Sequence, residues 1–331
     1  MPNIYAHERF GCDVYRALPK EIKELLRKER RIYHIGVQGP DILFYYYPLI
    51  PNDVRKDGGR IHDAAGRDFF LRAAEVLAEP IPPAENEAHI GEWNPEALKR
   101  AEFVYACGCL CHFVLDSHCH PTVNEYRDTL RITHSQIEGE FDHFLLTLDG
   151  KDPVQADLTA NFRPHTRGDV VIPLFYSADP PRKVIASMRM TVGVQKLLYA
   201  PSDKKRLALK AGLTLFGPKG PSLKGHIVPK EPDPRCAEVN SLLTGRYAEA
   251  LPKAVELIKA LYAEYQADLY GRFTADPLFD LNFGGELPEV TARKNAERLE
   301  ARKHPLRTYA VPVMERLRHN NHHTSREGDP S

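Results

Sequence analysis

Phe103-Val104-Tyr105-Ala106-Cys107-Gly108-Cys109-Leu110-Cys111-His112-Phe113-Val114-Leu115-Asp116 is the stretch on which the fold turns. Its first nine residues are apolar on nearly every side, and it lies downstream of Asn94-Pro95, an N-cap residue followed by proline at the first helical position. A helix over Pro95 to Asp116 that is apolar all round belongs in a protein interior, covered by other elements. The run from Phe103 to Leu115 is interrupted by His112 and bounded by Glu102 and Asp116, too short to span a bilayer, so no transmembrane segment is expected.

The rest of the sequence supplies helices to cover it. Apolar residues three and four apart recur over Ala6 to Ala17, Pro19 to Tyr33, His62 to Ala78 (after the Gly58-Gly59 breaker) and Ile132 to Leu148. They recur again over Pro181 to Leu198, Ser202 to Leu215 and Ala237 to Tyr270. Sustained period-two alternation hardly appears, so the fold class is all-α, a multi-helix domain. Lys151 to Arg167 reads as a connection and Gly217 to Arg235 as a loop. From Glu286 onward charges of both signs dominate, which divides the chain into a helical domain, 1–285, and a polar, partly disordered tail, 286–331, whose His319, His322 and His323 read as solvated.

A chain of 331 residues with 42% hydrophobic content can build a sizeable core. Lysine plus arginine and aspartate plus glutamate both number 45, so no global field draws it to nucleic acid or to an anionic membrane, and no nucleic-acid partner is expected. Met1 to Arg9 lacks a basic start followed by an apolar run, which makes cytoplasmic the expected location. Cys12, Cys107, Cys109, Cys111, Cys119 and Cys236 are not spaced like a secreted disulfide framework.

Chemistry concentrates around the central helix. His112 and Asp116 stand four residues apart, on one helical face. A carboxylate emerging from so apolar a helix needs a partner, because a lone buried charge costs several kcal/mol, and a coordinated cation removes that cost. His134 and Glu138 repeat the spacing on another helix. Between the two pairs lies Ser117-His118-Cys119-His120-Pro121, where Pro121 biases His120 out of helical geometry and toward a helix end. Upstream, Asp41 sits in the turn Gly39-Pro40-Asp41, His62 opens a helix and His7 opens the first one. One His–acid pair at this spacing is ordinarily a solvated salt bridge; two pairs flanking a His-Cys-His-Pro turn point to metal. Cys107, Cys109 and Cys111 do not converge on a helix and read as small buried residues. His118 is balanced between a surface position and a supporting one, and His34, His89, His143, His165 and His226 show no partner pattern.

The ordered set Ala6-His7, Pro40-Asp41, His62, His112-x-x-x-Asp116, His120-Pro121 and His134-x-x-x-Glu138 resembles the zinc-dependent phospholipase C family, which includes the bacterial phosphatidylcholine-cleaving enzymes and clostridial alpha-toxin. The resemblance covers about residues 1 to 150. It implies one zinc held by Asp41, His62, His112 and Asp116, another by His120, His134 and Glu138, and a third using His7 and bridging Asp116, two to three Zn²⁺ in all. It also implies that Asp41 orients or deprotonates an attacking water. Secreted members begin with a tryptophan whose terminal amine and carbonyl complete the third site, whereas this sequence starts Met1-Pro2, and the β-sandwich of the toxin-type members has no counterpart in a helical second half. Three zinc ions against three carboxylates would leave about three positive charges, which suits a small phosphodiester or phospholipid-type substrate cleaved by water to a phosphomonoester. Phe44-Tyr45-Tyr46-Tyr47 reads either as a wall for an acyl chain or choline-like head, or as core.

Three alternatives stand beside this. The order His34, His62-Asp63, Asp116 is that of an HD-type phosphohydrolase, but it leaves both spaced pairs unexplained. Single-strand nucleases share a similar tri-zinc cluster and would be separated by substrate profiling. A non-catalytic, zinc-stabilised helical module would show closed coordination with no open position.

Overall fold

The computed structural model describes residues 4–80, 94–177, 180–215 and 223–303, and no strand occurs among them. Its main helices are α1 (Ile4–Ala17), α2 (Lys20–Lys28), α3 (Arg30–Gly36), α4 (Asp53–Asp63), α5 (Gly66–Ala78), α6 (Pro95–Leu130), α7 (His134–Leu148), α8 (Thr166–Val171), α9 (Arg182–Leu198), α10 (Asp203–Thr214), α11 (Ala237–Ala267) and α12 (Pro288–Lys303). A 3₁₀ turn, Gly39–Tyr45, joins α3 to α4. The fold is all-α.

The apolar stretch is the middle of α6, and every residue from Ala101 to Ser117 is buried. Helices α1, α3, α5, α7 and α11 pack around it. Helix α1 shows how: its buried positions Ile4, His7, Phe10, Gly11 and Val14 recur at three- and four-residue spacing, one stripe turned to α6. Gly36 of α3 and Gly108 of α6 meet backbone to backbone, where a Cβ added to Gly108 would fall 2.6 Å from the Tyr33 carbonyl oxygen. Cys111 lies beside this crossing, its Sγ 3.3 Å from Tyr33 Oη; Cys107, Cys109 and Cys111 are all fully buried, and burial pushes their thiols far up. Each large apolar side chain so covered contributes about 1.5–3 kcal/mol.

Four expectations from the sequence are corrected. The helix expected over Pro19 to Tyr33 is two, α2 and α3. The break falls at Glu29, whose buried carboxylate accepts from Arg100 and from Arg167 at 2.7 Å, so tertiary ion pairing overrides local propensity. Gly58-Gly59 does not break a helix: both lie inside α4, begun by the Asn52 cap on Arg55 N–H, and Gly58 is buried beneath Leu43 and Phe44. His62 therefore closes α4 and does not open α5. Helix α6 does not stop at Asp116 but runs through Pro121 to Leu130, so His120 is in a helix interior. Proline there removes one backbone bond, and the Ser117 carbonyl it frees faces the turn at Gly285. Finally, α11 ends at Ala267, where Asp268 takes a left-handed conformation.

Helix α7 starts with a capping box: Thr133 Oγ1 accepts from Gln136 N–H at 3.2 Å, and Gln136 Oε1 accepts from Thr133 N–H at 2.8 Å. Thr133→Ala is expected to lower unfolding free energy by about 1 kcal/mol, read by urea denaturation.

After α11 the chain returns across α5 and α6 through two 3₁₀ turns, Arg272–Ala275 and Pro277–Asp280, whose Phe273 and Phe279 join Phe70 in the core. Gly66 N–H donates to the Leu281 carbonyl at 2.8 Å, which fixes the following Phe283 against α6. The chain divides into two compact units, Met1–Glu286 and Leu287–Ser331. The second contains α12, a polar helix; the expected tail histidines and the disorder expected around them, like His89 and Met1 to Asn3, lie outside the described residues. No described helix is long and apolar enough to cross a membrane.

Candidate metal centre

Three of the singled-out side chains, His112, Asp116 and His120, stand one turn apart on a single face of α6. His134 and Glu138 come from the start of α7, Asp41 from the 3₁₀ turn, His62 from the last turn of α4 and His7 from the first turns of α1. The structure brings all eight together in three groups whose nitrogen and oxygen atoms lie within 4.8 Å of one another: His7, His112 and Asp116; Asp41, His62 and His112; His120, His134 and Glu138.

The distances are short. Asp116 Oδ1 is 3.1 Å from His7 Nε2, and its Oδ2 is 3.3 Å from His112 Nε2 and 3.8 Å from His120 Nδ1. Asp41 Oδ1 is 2.9 Å from His62 Nε2; Glu138 Oε1 is 2.7 Å from His134 Nε2 and 3.4 Å from His120 Nε2. Backbone carbonyls fix two of the rings. His62 Nδ1 donates to Gly58 O at 2.7 Å and His120 Nδ1 to Phe283 O at 2.8 Å, which turns each Nε2 lone pair toward a carboxylate oxygen. Two acceptors face each other there, an arrangement that is repulsive unless a proton or a cation lies between them.

Each of the eight residues has at least one buried nitrogen or oxygen without a hydrogen-bond partner among the described residues, including both nitrogens of His7 and His112 and both oxygens of Glu138. Such atoms are rare in protein interiors, and their convergence fits a group of cations. Imidazole nitrogen with carboxylate oxygen is a donor set suited to zinc.

Protonation agrees. Burial pushes His112 down to about 3, against the pull of Asp116, so its ring is neutral and offers a lone pair. Burial also pushes His134 down. Burial opposes ionisation of Asp116, yet His120, His112 and His7 hold it at about 2, and His134, with His120, keeps Glu138 below the usual range as well. His120 goes the other way: despite burial, Asp116 and Glu138 raise it to about 9. A cation held between His120 and Glu138 would take the place of that proton.

The sequence model of the family described as zinc dependent phospholipase C matches residues 6–184, more than half of the chain. The chain belongs to that family. No curated protein and no solved structure matches it. Membership in the zinc-dependent phospholipase C family carries zinc dependence and phospholipase C-like hydrolysis as the general chemistry.

Several supports of the centre in this phospholipase C family member escaped the sequence reading. Asp142, one turn beyond Glu138, caps α1 by accepting from Tyr5 N–H at 3.1 Å and Ala6 N–H at 2.8 Å, and so positions His7. Its four-residue step from Glu138 was a visible signal. Ser187 donates to the Ile42 carbonyl and Gln195 to Tyr45 Oη at 2.7 Å, bracing the turn that carries Asp41. Phe283 lies 5.0 Å, ring to ring, from His62 and 5.8 Å from His112 as well as orienting His120; nothing in its local sequence announces that.

Other expectations resolve differently. His118 Nδ1 donates to Val114 O in its own helix. His34 does have partners: Glu8 at 3.0 Å and Arg30 at 3.2 Å, with Cys12 nearby, which places it with α1 and away from the His62 group and removes a ligand from the HD-type order. His165 Nδ1 caps α8 by accepting from Arg167 N–H. Of the aromatic run, Phe44 lies 5.1 Å from the His62 ring, Tyr45 is buried, and Tyr47 is half exposed.

Proposed function

We propose that the protein is a zinc-dependent phosphodiesterase of phospholipase C type, using two to three Zn²⁺ held by His7, Asp41, His62, His112, Asp116, His120, His134 and Glu138. It acts in the cytoplasm on small phosphodiester or phospholipid-type substrates, not on nucleic acid. The observation that carries this is the convergence of partnerless buried lone pairs on one centre. Zinc held there would supply Lewis-acid polarisation of phosphoryl oxygens and acidify a water.

The chain's own groups do the rest. Asp41, against His62, orients the attacking water and takes its proton. The water oxygen forms a bond to phosphorus in line with the departing oxygen, that P–O bond breaks, and the proton ends on the leaving alcohol. Asp116, between His7, His112 and His120, ties the groups into one unit. His62 and His134 retain 14% and 27% side-chain exposure while the other six are more deeply buried, so substrate approaches from their side. A purely structural zinc site is closed on all sides, and this opening favours catalysis.

Chelation is expected to abolish hydrolysis of bis(p-nitrophenyl) phosphate and to lower Tm, with both restored by added zinc. Metal analysis giving less than one zinc per chain, unchanged by His134→Ala, would sink the proposal.

A further inference from the structure

The segment Arg27-Lys28-Glu29-Arg30-Arg31 sets four cations about one acid, and the metal centre uses none of them. The acid is turned inward: Glu29 is buried, and its carboxylate is committed to Arg100 and Arg167. The break at Glu29 that ends α2 and begins α3 leaves Arg27 and Arg30 on the wall of one cavity.

This cavity, of about 360 Å³, lies between α1, α2 and α3. Its volume is toward the lower end of small-molecule sites, about 300–1,000 Å³. Arg16 of α1 is a third cation on its wall, and no described carboxylate lines it. Arg16 is paired with Asp13 at 2.6 Å. The Arg27 guanidinium has no hydrogen-bond or ion-pair partner among the described residues. Arg30 has no carboxylate partner: its Nε donates to His34 Nε2 at 3.2 Å and its Nη2 to Asn161 Oδ1 at 3.5 Å.

The neighbouring acid does not neutralise these charges. Glu8 accepts from Asn161 Nδ2 at 2.7 Å and from His34 Nδ1 at 3.0 Å, the nitrogen left to carry the proton because Nε2 accepts from Arg30. Cys12 adds no negative charge, since burial and Glu8 push its thiol up to about 11. The remaining wall is apolar and aromatic: Leu26 and Tyr33 are buried, and Tyr15 is partly so. Tyr33 donates through its hydroxyl to Gly11 O at 2.8 Å, which fixes its ring and preforms that side. Guanidiniums without carboxylates on one hollow repel each other until an anion lies between them. Their forked N–H groups suit phosphate oxygens, and two such charges match a dianion.

We propose that the cavity between α1, α2 and α3 binds a small organic phosphate, a phosphomonoester dianion whose phosphate lies on Arg27 and Arg30 and whose apolar body lies against Tyr15, Leu26 and Tyr33. The site is separate from the metal centre, because none of the eight candidate ligands lines it. The proposal therefore does not rest on the phosphodiesterase reading.

The test is calorimetry on the zinc-loaded full chain with phenyl phosphate. The metal centre would also take phosphate oxygens, so the cavity is read by difference. His134→Ala, which alters the metal centre, should keep the cavity's binding event, whereas Arg27→Gln with Arg30→Gln should weaken it about tenfold or more. Both arginines are exposed, so the double variant should keep the wild-type fold, checked by its melting temperature. Arg27→Gln alone breaks no side-chain contact among the described residues and should already weaken binding about threefold. Benzoate, a monoanion with the same apolar body, should bind about fivefold more weakly than phenyl phosphate, and added salt should narrow that gap. Phenylglyoxal labelling read by peptide mass spectrometry locates the ligand: phenyl phosphate should protect Arg27 and Arg30 and leave Arg293 of α12 unprotected. Equal phenyl phosphate binding in wild type and the double variant, with no protection of either arginine, would overturn the proposal. Benzoate binding as tightly as phenyl phosphate would overturn the assignment of a dianion.

Discussion

Asp116→Asn is expected to cost the protein at least one bound metal ion and about three orders of magnitude in kcat/KM on a phosphodiester. The substitution is nearly isosteric, so packing around the buried side chain is retained and the loss reports charge and coordination. Both oxygens are in use: Oδ1 faces His7, and Oδ2 faces His112 and His120, so this carboxylate joins groups drawn from α1, α6 and, through His120, α7. An amide there presents N–H to nitrogens whose lone pairs a cation would need, and it removes a negative charge from among the imidazoles. Plasma mass spectrometry for zinc and a steady-state assay check the two effects separately. Unchanged metal content with unchanged activity would remove Asp116 from the centre altogether.

Gly39→Ala should be nearly as damaging although Gly39 ligates nothing. Its φ is +51°, a conformation that alanine adopts at a cost of about 1 kcal/mol. An added Cβ would also lie 2.5 Å from the His112 ring. The ring is fully buried against His7, stacked at 4.4 Å, and has no free direction in which to yield. The expected result is a loss of about 2–4 kcal/mol in unfolding free energy together with weakened zinc binding, followed by thermal melts with and without added metal. Gly59→Ala is the matched control: nothing lies within 4 Å of its Cβ, and alanine in mid-helix is neutral or slightly stabilising. Equal melting temperatures for the two variants would contradict the packing account.

The all-α class was legible because apolar spacing of three and four residues repeats throughout, and α6 in particular could be read as buried from composition alone. The pairs His112–Asp116 and His134–Glu138 were legible for the same reason: a helical period turns sequence spacing into a shared face. Helix limits near prolines and glycines were not. Pro121 lies inside α6, and Gly58 inside α4, because burial and tertiary contacts outweigh propensities of about 1–3 kcal/mol. The split at Glu29 depends on arginines far along the chain, Arg100 and Arg167, which no local window contains. Phe283 is a similar case. It reaches His120 across a sequence separation of 163 residues, through a carbonyl that any residue would possess.

Cys107, Cys109 and Cys111 stand on the same helix as His112, sealed from solvent, with thiols that burial keeps protonated. An alkylating reagent at neutral pH therefore meets them only when α6 is uncovered, and with reclosing faster than alkylation the rate of labelling measures the population of that open form. The protein carries a built-in clock beside its candidate metal centre. Its ticking, followed by mass spectrometry of the labelled peptide, gives the free energy of exposing α6 under conditions in which the chain is almost entirely folded.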